Sequence, residues 1–276
     1  MKTILVLGSS GQVGAYLCEF LRKAGYEVYE FDVANESQQD LRVHRNELLA
    51  DYIEKCDFAF FLAFDVGGSH YLEKYQDTFA FISNNLKIMT NTFQLLSDFK
   101  KPFVFASSQM SNMSQSTYGL LKFIGEKATH ALGGVVVKFW NVYGVERDTE
   151  KFHVISDFID MAQRGGPIRM RTTGVETRDF LYADDCSAGL VAIMRNYESL
   201  AGDREVDLAN HSWTSILEIA NIIGDHFGVE VVPGDKVDSI QAGIKNSPRD
   251  DFNQYWKPSI SVHEGISRII QDLESS

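Results

Sequence analysis

The stretch from Lys2 to Asp32 constrains the chain most. Ile4–Leu7 is a short apolar run that ends at a glycine, and Gly8, Gly11 and Gly14 follow at three-residue spacing. An amphipathic helical pattern continues through Leu17, Phe20 and Leu21 and stops at Gly25. A second apolar run, Val28 to Phe31, ends at Asp32. Strand, glycine turn, helix, strand and acid together form the grammar of a dinucleotide site. Gly8 permits the tight turn, Gly11 lets backbone approach a pyrophosphate, and Gly14 lets helix and strand pack closely. The open helix start offers N–H groups and a positive dipole end to phosphates. A carboxylate at Asp32 can accept from both adenosine ribose hydroxyls and repels a 2′-phosphate, so NAD is expected rather than NADP.

The rest of the chain repeats the alternation. Phe58–Ala63 is apolar throughout, as a strand covered on both faces must be. It runs into the loop Asp65-Val66-Gly67-Gly68 at the carboxyl edge of the sheet, where ligands bind. Phe79, Ile82, Leu86, Met89, Phe93 and Leu96 recur at helical spacing within Tyr75 to Asp98. Phe103–Ala106 and Val135–Phe139 read as further strands, with a helix from Tyr118 to about Leu132 between them. This pattern predicts an α/β fold with a doubly wound parallel sheet of Rossmann type. After residue 144 the elements shorten and mix. A smaller C-terminal α/β lobe is expected over 145–276, with return segments near 174–212 rejoining the 1–144 dinucleotide domain.

Around the glycine turn, the expected cofactor contacts are Gly8, Gly11, Gln12, Val13, Gly14 and Asp32. Asp40, Leu41, Leu62 and Ala63 are added from the next loop and strand end. Asp40 can accept from an adenine amino group or, equally, cap a helix over 45–52.

Ser108, Tyr118 and Lys122 carry the chemistry. Tyr and Lys at i and i+4 share a helix face. An ammonium beside a phenol favours phenolate, so Tyr118 is expected to work as general base on a substrate hydroxyl, with Ser108 holding the same hydroxyl. Lys122 is also expected to hold the nicotinamide ribose.

Other classes are disfavoured. The 276 residues carry a net charge of −12 and no Lys/Arg-rich run, which argues against a nucleic-acid partner. No apolar run approaches the ~18 residues of a membrane span. The N-terminus starts directly on a strand, so no signal peptide is expected. Cys18, Cys56 and Cys186 are too scattered for a disulfide framework or a metal site. They read as small buried hydrophobes in a reducing cytoplasm.

These residues together resemble the extended short-chain dehydrogenase/reductase family, the NAD-dependent epimerase/dehydratase group of sugar-nucleotide enzymes. The resemblance includes Gly8–Gly14, Asp32, Asp40-Leu41-Arg42, Asn85 and Asn91, Ser107-Ser108 and Tyr118/Lys122. It continues through the Lys138–Gly144 strand end, the Arg178–Asp185 segment, Pro248-Arg249-Asp250, and Trp256-Lys257-Pro258 through Glu264-Gly265. It implies NAD as cofactor, a nucleotide-diphosphate sugar as substrate, and Asn141, Arg178 and Arg249 facing the substrate. It also implies a homodimer through the Tyr75–Asp98 and Tyr118–Leu132 helices. Guanidinium forks suit a diphosphate, although Arg178 can also pair with Asp179 or Asp184.

The chain departs from the family's pattern after Ser108. Only nine residues separate it from Tyr118, and Gln109-Met110 stand where the family's dehydratases carry Asp-Glu. Neither side chain transfers protons. Carbinol oxidation and ketone reduction remain, which is all that a C4 epimerase needs. Alternatives are a 4-keto reductase or dehydrogenase of a sugar nucleotide or other alcohol, and a non-catalytic NAD(H) sensor. His70, on the loop after the Phe58–Ala63 strand, is a further acid/base candidate.

Overall fold

The structure is a computed structural model that describes residues 1–200, 204–237 and 247–275. Six parallel strands form the central sheet: β1 (Thr3–Leu7), β2 (Glu27–Phe31), β3 (Phe58–Phe61), β4 (Phe103–Ser108), β5 (Val135–Phe139) and β9 (Glu205–Leu208). Their order is β2-β1-β3-β4-β5-β9, so the chain winds outward from β1 in both directions. The switch point lies beside the glycine turn, where such sheets bind their ligands.

Helices cover both faces. α1 (Gln12–Lys23) and α7 (Ala183–Arg195) pack on one side, over Ile4, Val6, Val104, Val135 and Val137. α2 (Glu47–Lys55), α4 (Phe79–Asp98) and α5 (Thr117–Ala131) pack on the other, over Leu5, Leu7, Phe61 and Phe105. Alternate residues of each strand serve opposite cores, so these strands are apolar without interruption. Each large side chain buried here stabilises the fold by roughly 1.5–3 kcal/mol.

β9 completes the sheet after a long excursion, which brings α7 back onto α1. The excursion starts with β6 (Asn141–Tyr143), α6 (Val154–Gln163), β7 (Ile168–Arg169) and β8 (Thr177–Tyr182). After β9 come β10 (Trp213–Ser215), α8 (Ile216–Phe227), β11 (Val231–Val232) and α9 (Val262–Glu274). A three-stranded sheet in the order β10-β8-β6 and a β11-β7 pair sit over a third core of Ile155, Phe158, Ile219, Ile223, Ile266 and Ile270.

The helix expected from Tyr75 begins four residues later, at Phe79. α3 (Ser69–Tyr75) ends before Thr78, whose hydroxyl accepts from the Phe81 N–H and opens α4. Thr78 is the N-cap inside an otherwise periodic run. The helix assigned to 45–52 begins at Glu47, and Asn46, not Asp40, caps it through the Leu49 N–H. β6, β10 and β11, of two or three residues each, gave no periodic signal in the sequence.

Candidate active site

The glycine turn has the shape its spacing predicted. Gly8 has φ +87°, and a Cβ there would lie 2.7 Å from the Ala63 nitrogen. A Cβ on Gly14 would lie 2.0 Å from the Gly8 carbonyl oxygen, so α1 can start this close to β1 only with glycine there. Five helices (α2, α4, α5, α8 and α9) are capped by side chains, those of Asn46, Thr78, Ser116, Ser215 and Ser261. α1, like α3, α6 and α7, has no side-chain cap, and its N-cap residue is Gly11. Its first-turn N–H groups therefore keep their capacity for an anion. Beside them, the Gln12 Nε2 is buried without a hydrogen-bond partner.

Asp32 sits just past β2 and is clamped to the turn. Its carboxylate accepts from the Ser10 N–H at 3.1 Å and the Ala34 N–H at 2.9 Å, and its own N–H donates to Gln39. Leu62 donates its N–H to the Leu7 carbonyl, which draws Leu62-Ala63 against the turn. Val13 packs on the α1-side core. The residues present thus fit an NAD: an open helix start with an orphaned amide donor, and an acid anchored at the end of β2.

Asp40 is committed to a bidentate pair with Arg42, whose guanidinium holds the carboxyl below its usual range. Two asparagines of α4 fasten the loops that flank the site. Asn91 Nδ2 donates to the Leu41 carbonyl. The buried Asn85 accepts from the Asp65 N–H at 2.7 Å and donates to the Asp65 carbonyl. The Asp65 carboxylate in turn accepts from Tyr71 at 2.7 Å and Asn84 at 3.1 Å, with Lys151 3.5 Å away.

Ser108, Tyr118 and Lys122 converge at the end of β4 and the first turns of α5. Ser108 lies near enough to Tyr118 to work against the rise of its phenol pKa, and its hydroxyl accepts the Met110 N–H at 3.2 Å. The short loop between them is a 3-10 turn, Gln109–Asn112, laid directly on α5. A Cβ on Gly119 would lie 2.3 Å from the Met110 carbonyl oxygen, so the close seating of this turn depends on that glycine.

Lys122 differs from expectation. Its ammonium donates to the Ala106 carbonyl at 2.7 Å and lies 3.8 Å from the centre of the Phe64 ring, against 5.8 Å for Tyr118. Burial is the dominant influence on both groups. It pushes the Tyr118 phenol up to about 12, against the lowering by Ser108, and the Lys122 ammonium down to about 7, against Glu126. Tyr118 therefore holds its proton until positive charge is brought next to it.

Sequence reasoning missed the polar group behind this site. Glu126 is buried one turn past Lys122, accepts the Ser107 hydroxyl, and lies 3.7 Å from Lys138, which also pairs with Glu205 at 2.8 Å. An acid four residues after a buried lysine on a helix was the available signal.

The residues expected to face substrate hang from three neighbouring segments. Asn141 opens β6, and its Oδ1 is buried without a partner. Arg178 lies on β8 and donates to the Thr177 carbonyl. Arg249 hydrogen-bonds Asp207 through its backbone and Asp251 through its guanidinium. Asp184 pairs with Arg268, and Asp179 accepts the Asn210 N–H. His70 lies on α3 and accepts from Arg171 at 2.8 Å, at an exposed position.

A glycine turn after β1 that fits NAD, together with a Ser-Tyr-Lys trio at the end of β4 and the start of α5, defines an NAD-dependent enzyme of the extended short-chain dehydrogenase/reductase type. The chain belongs to the NAD dependent epimerase/dehydratase family, whose profile matches residues 4–209. It is 24% identical to UDP-glucuronic acid decarboxylase 1 of Arabidopsis thaliana, over 99% of this chain and 70% of that protein. It is also 24% identical to the uncharacterized UDP-glucose epimerase YtcB of Bacillus subtilis, over 99% of this chain and 98% of that protein. Among solved structures, the Bordetella bronchiseptica enzyme WbmF in complex with NAD+ and UDP superposes with a TM-score of 0.79. It is 23% identical, over 99% of this chain and 92% of that one.

Proposed function

We propose that the protein is a sugar-nucleotide epimerase acting by transient oxidation and re-reduction at C4. The observation that carries this reading is the Ser108–Tyr118–Lys122 cluster with non-titrating Gln109 and Met110 beside it. A bound NAD would supply the hydride acceptor for the carbinol carbon and the hydride donor for the return step. Ser108 holds the reacting hydroxyl, Tyr118 Oη removes its proton and later returns it, and Lys122 holds the ribose. The cofactor contacts are those of the turn, Asp32, the Asp40-Leu41 loop and Leu62-Ala63, and Asn141, Arg178 and Arg249 take the nucleotide diphosphate. The names of the relatives favour a UDP-sugar. A 4-keto reductase or a dehydrogenase would use the same trio but consume its cofactor. A non-catalytic sensor would have no use for a buried Tyr-Lys pair.

We further read residues 1–144, with the return near 174–212, as the NAD domain and 145–276 as the substrate lobe. Leu86 of α4 and Leu120, Phe123 and Ile124 of α5 are exposed on adjoining helices, which supports a homodimer formed there. Sedimentation of the wild type and Ile124→Asp tests this: a monomeric wild type refutes it. Three free, buried cysteines, and no helix among the described residues long and apolar enough to cross a membrane, support a cytoplasmic enzyme. Native mass spectrometry followed by turnover assays with UDP-, GDP-, CDP- and dTDP-sugars tests the reading. Co-purified NAD and interconversion of two epimers without net cofactor use are expected. Protein that lacks NAD and is inert with all four classes would overturn it.

A further inference from the structure

A row of buried charges runs behind the trio. Lys122 and Glu126 stand one turn apart on α5, each 3% exposed, and share a helix face. Both are fastened to neighbouring residues at the end of β4. The Lys122 ammonium donates to the Ala106 carbonyl at 2.7 Å, and Glu126 accepts the Ser107 hydroxyl. Lys138 of β5, opposite Ser107 in register, continues the row.

The distances decide which cation Glu126 serves. Lys138 is closer to Glu205, at 2.8 Å, than to Glu126, at 3.7 Å. Asp207, opposite Lys138 on β9, is held by the Arg249 N–H at 2.8 Å. Glu126 is thus only loosely matched by Lys138, and its charge is left to act on Lys122. Facing Lys122 from the other elements are the rings of Phe64, Phe105 and Tyr118. In that dry surrounding a carboxylate one turn away acts strongly. It raises the Lys122 ammonium against the burial that pushes it down to about 7.

The charge state of Lys122 sets what it can hold. An ammonium has three N–H donors. The Ala106 carbonyl takes one and leaves two, enough for two neighbouring hydroxyls of a ribose. A neutral amine has only two, and one stays with Ala106.

We propose that Glu126 is a positioning residue whose carboxylate keeps Lys122 an ammonium near neutral pH, so that two N–H donors remain for the nicotinamide ribose. The inference rests on the reading of Lys122 as the ribose-holding residue and deepens it.

The test follows Lys122 and NAD affinity against pH in wild type, Glu126→Gln and Lys138→Met. Glu126→Gln keeps an acceptor for Ser107 and removes the charge. Lys138→Met removes the cation that competes for that charge. NMR of protein carrying carbon-13 at the lysine ε-carbons gives the Lys122 midpoint, with Lys122→Met as the assignment control. Glu126→Gln is expected to lower the midpoint by about 1–3 pH units, the usual effect of losing a close opposite charge, and Lys138→Met to raise it. NAD affinity of Glu126→Gln is expected to fall several-fold near neutral pH and to recover as pH is lowered, which lost packing would not produce. If either variant does not fold, the opposite shift in the other decides. A midpoint that does not move, or an NAD loss that is equal at every pH, overturns the inference and leaves the sugar-nucleotide reading intact. A wild type that binds no NAD overturns both.

Discussion

The Phe64 ring lies against the Lys122 ammonium, 3.8 Å from ring centre to Nζ, and edge-on to Tyr118 at 5.7 Å between ring centres. Phe64 follows β3 on the loop that Asn85 fastens through Asp65, so the ring is held over the lysine by the same anchor that shapes the loop. Two opposed effects meet there. The ring face attracts the cation by about 0.5–2 kcal/mol, while the apolar cover removes water from it. Burial is the larger, because the ammonium is pushed down to about 7. Phe64→Ala should therefore raise the Lys122 pKa towards its usual range. Amine-labelling rates at Lys122, followed against pH by mass spectrometry, would show this. A pKa that stays put or falls would mean that the ring acts chiefly through its attraction.

The same lysine makes stability depend on pH. Its folded pKa is about 7 and its unfolded value is the ordinary 10.5, so between those limits the unfolded chain binds more protons. Stability then rises with pH through that window, and the penalty of burying the charge is present in full below pH 7. Urea unfolding of wild type and Lys122→Met should diverge by on the order of 2–3 kcal/mol between pH 7 and 9, with the wild type gaining. Parallel curves would place the lysine in a wetter setting than Phe64, Phe105 and Ala106 provide.

Tyr118→Phe removes the one group placed to move the hydroxyl proton while keeping the ring against Phe64. Turnover should fall by about 10²–10⁴-fold, the usual worth of a positioned acid/base. NAD affinity should change little, because the turn and Asp32 are untouched. Retained turnover, read in a coupled assay on single sugar nucleotides, would refute the role given to Tyr118.

Gly14→Ala tests the turn. The added methyl would meet the Gly8 carbonyl oxygen at 2.0 Å, and backbone cannot swing aside as a side chain can. A stability loss of about 1–3 kcal/mol is expected from the forced shift. NAD affinity should weaken more than tenfold, because the α1 start would move with it. Unchanged affinity by fluorescence titration would show that the phosphates do not depend on this seat.

The two levels of description agree where chemistry is local. Gly8 and Gly14 could be read from spacing because each answers a local steric demand, and Ser108, Tyr118 and Lys122 because a strand end and one helix turn bring them together. The start at Thr78 was missed because a cap is a single hydroxyl just ahead of the apolar period, which itself begins at Phe79. The state of Lys122 was not legible at all. It depends on Phe64, 58 residues earlier in the chain, and the expected effect of the lysine on its tyrosine gave way to burial of both.

The central claim is that hydrogen leaves C4 of the sugar and returns to it within one enzyme molecule. The direct measurement is turnover of C4-deuterated UDP-N-acetylglucosamine and UDP-glucose by the purified protein, with no NAD added, followed by NMR. The account predicts the C4 epimer with deuterium retained at C4 and no net reduced cofactor. Deuterium lost to solvent, or one reduced cofactor formed per sugar, would contradict it.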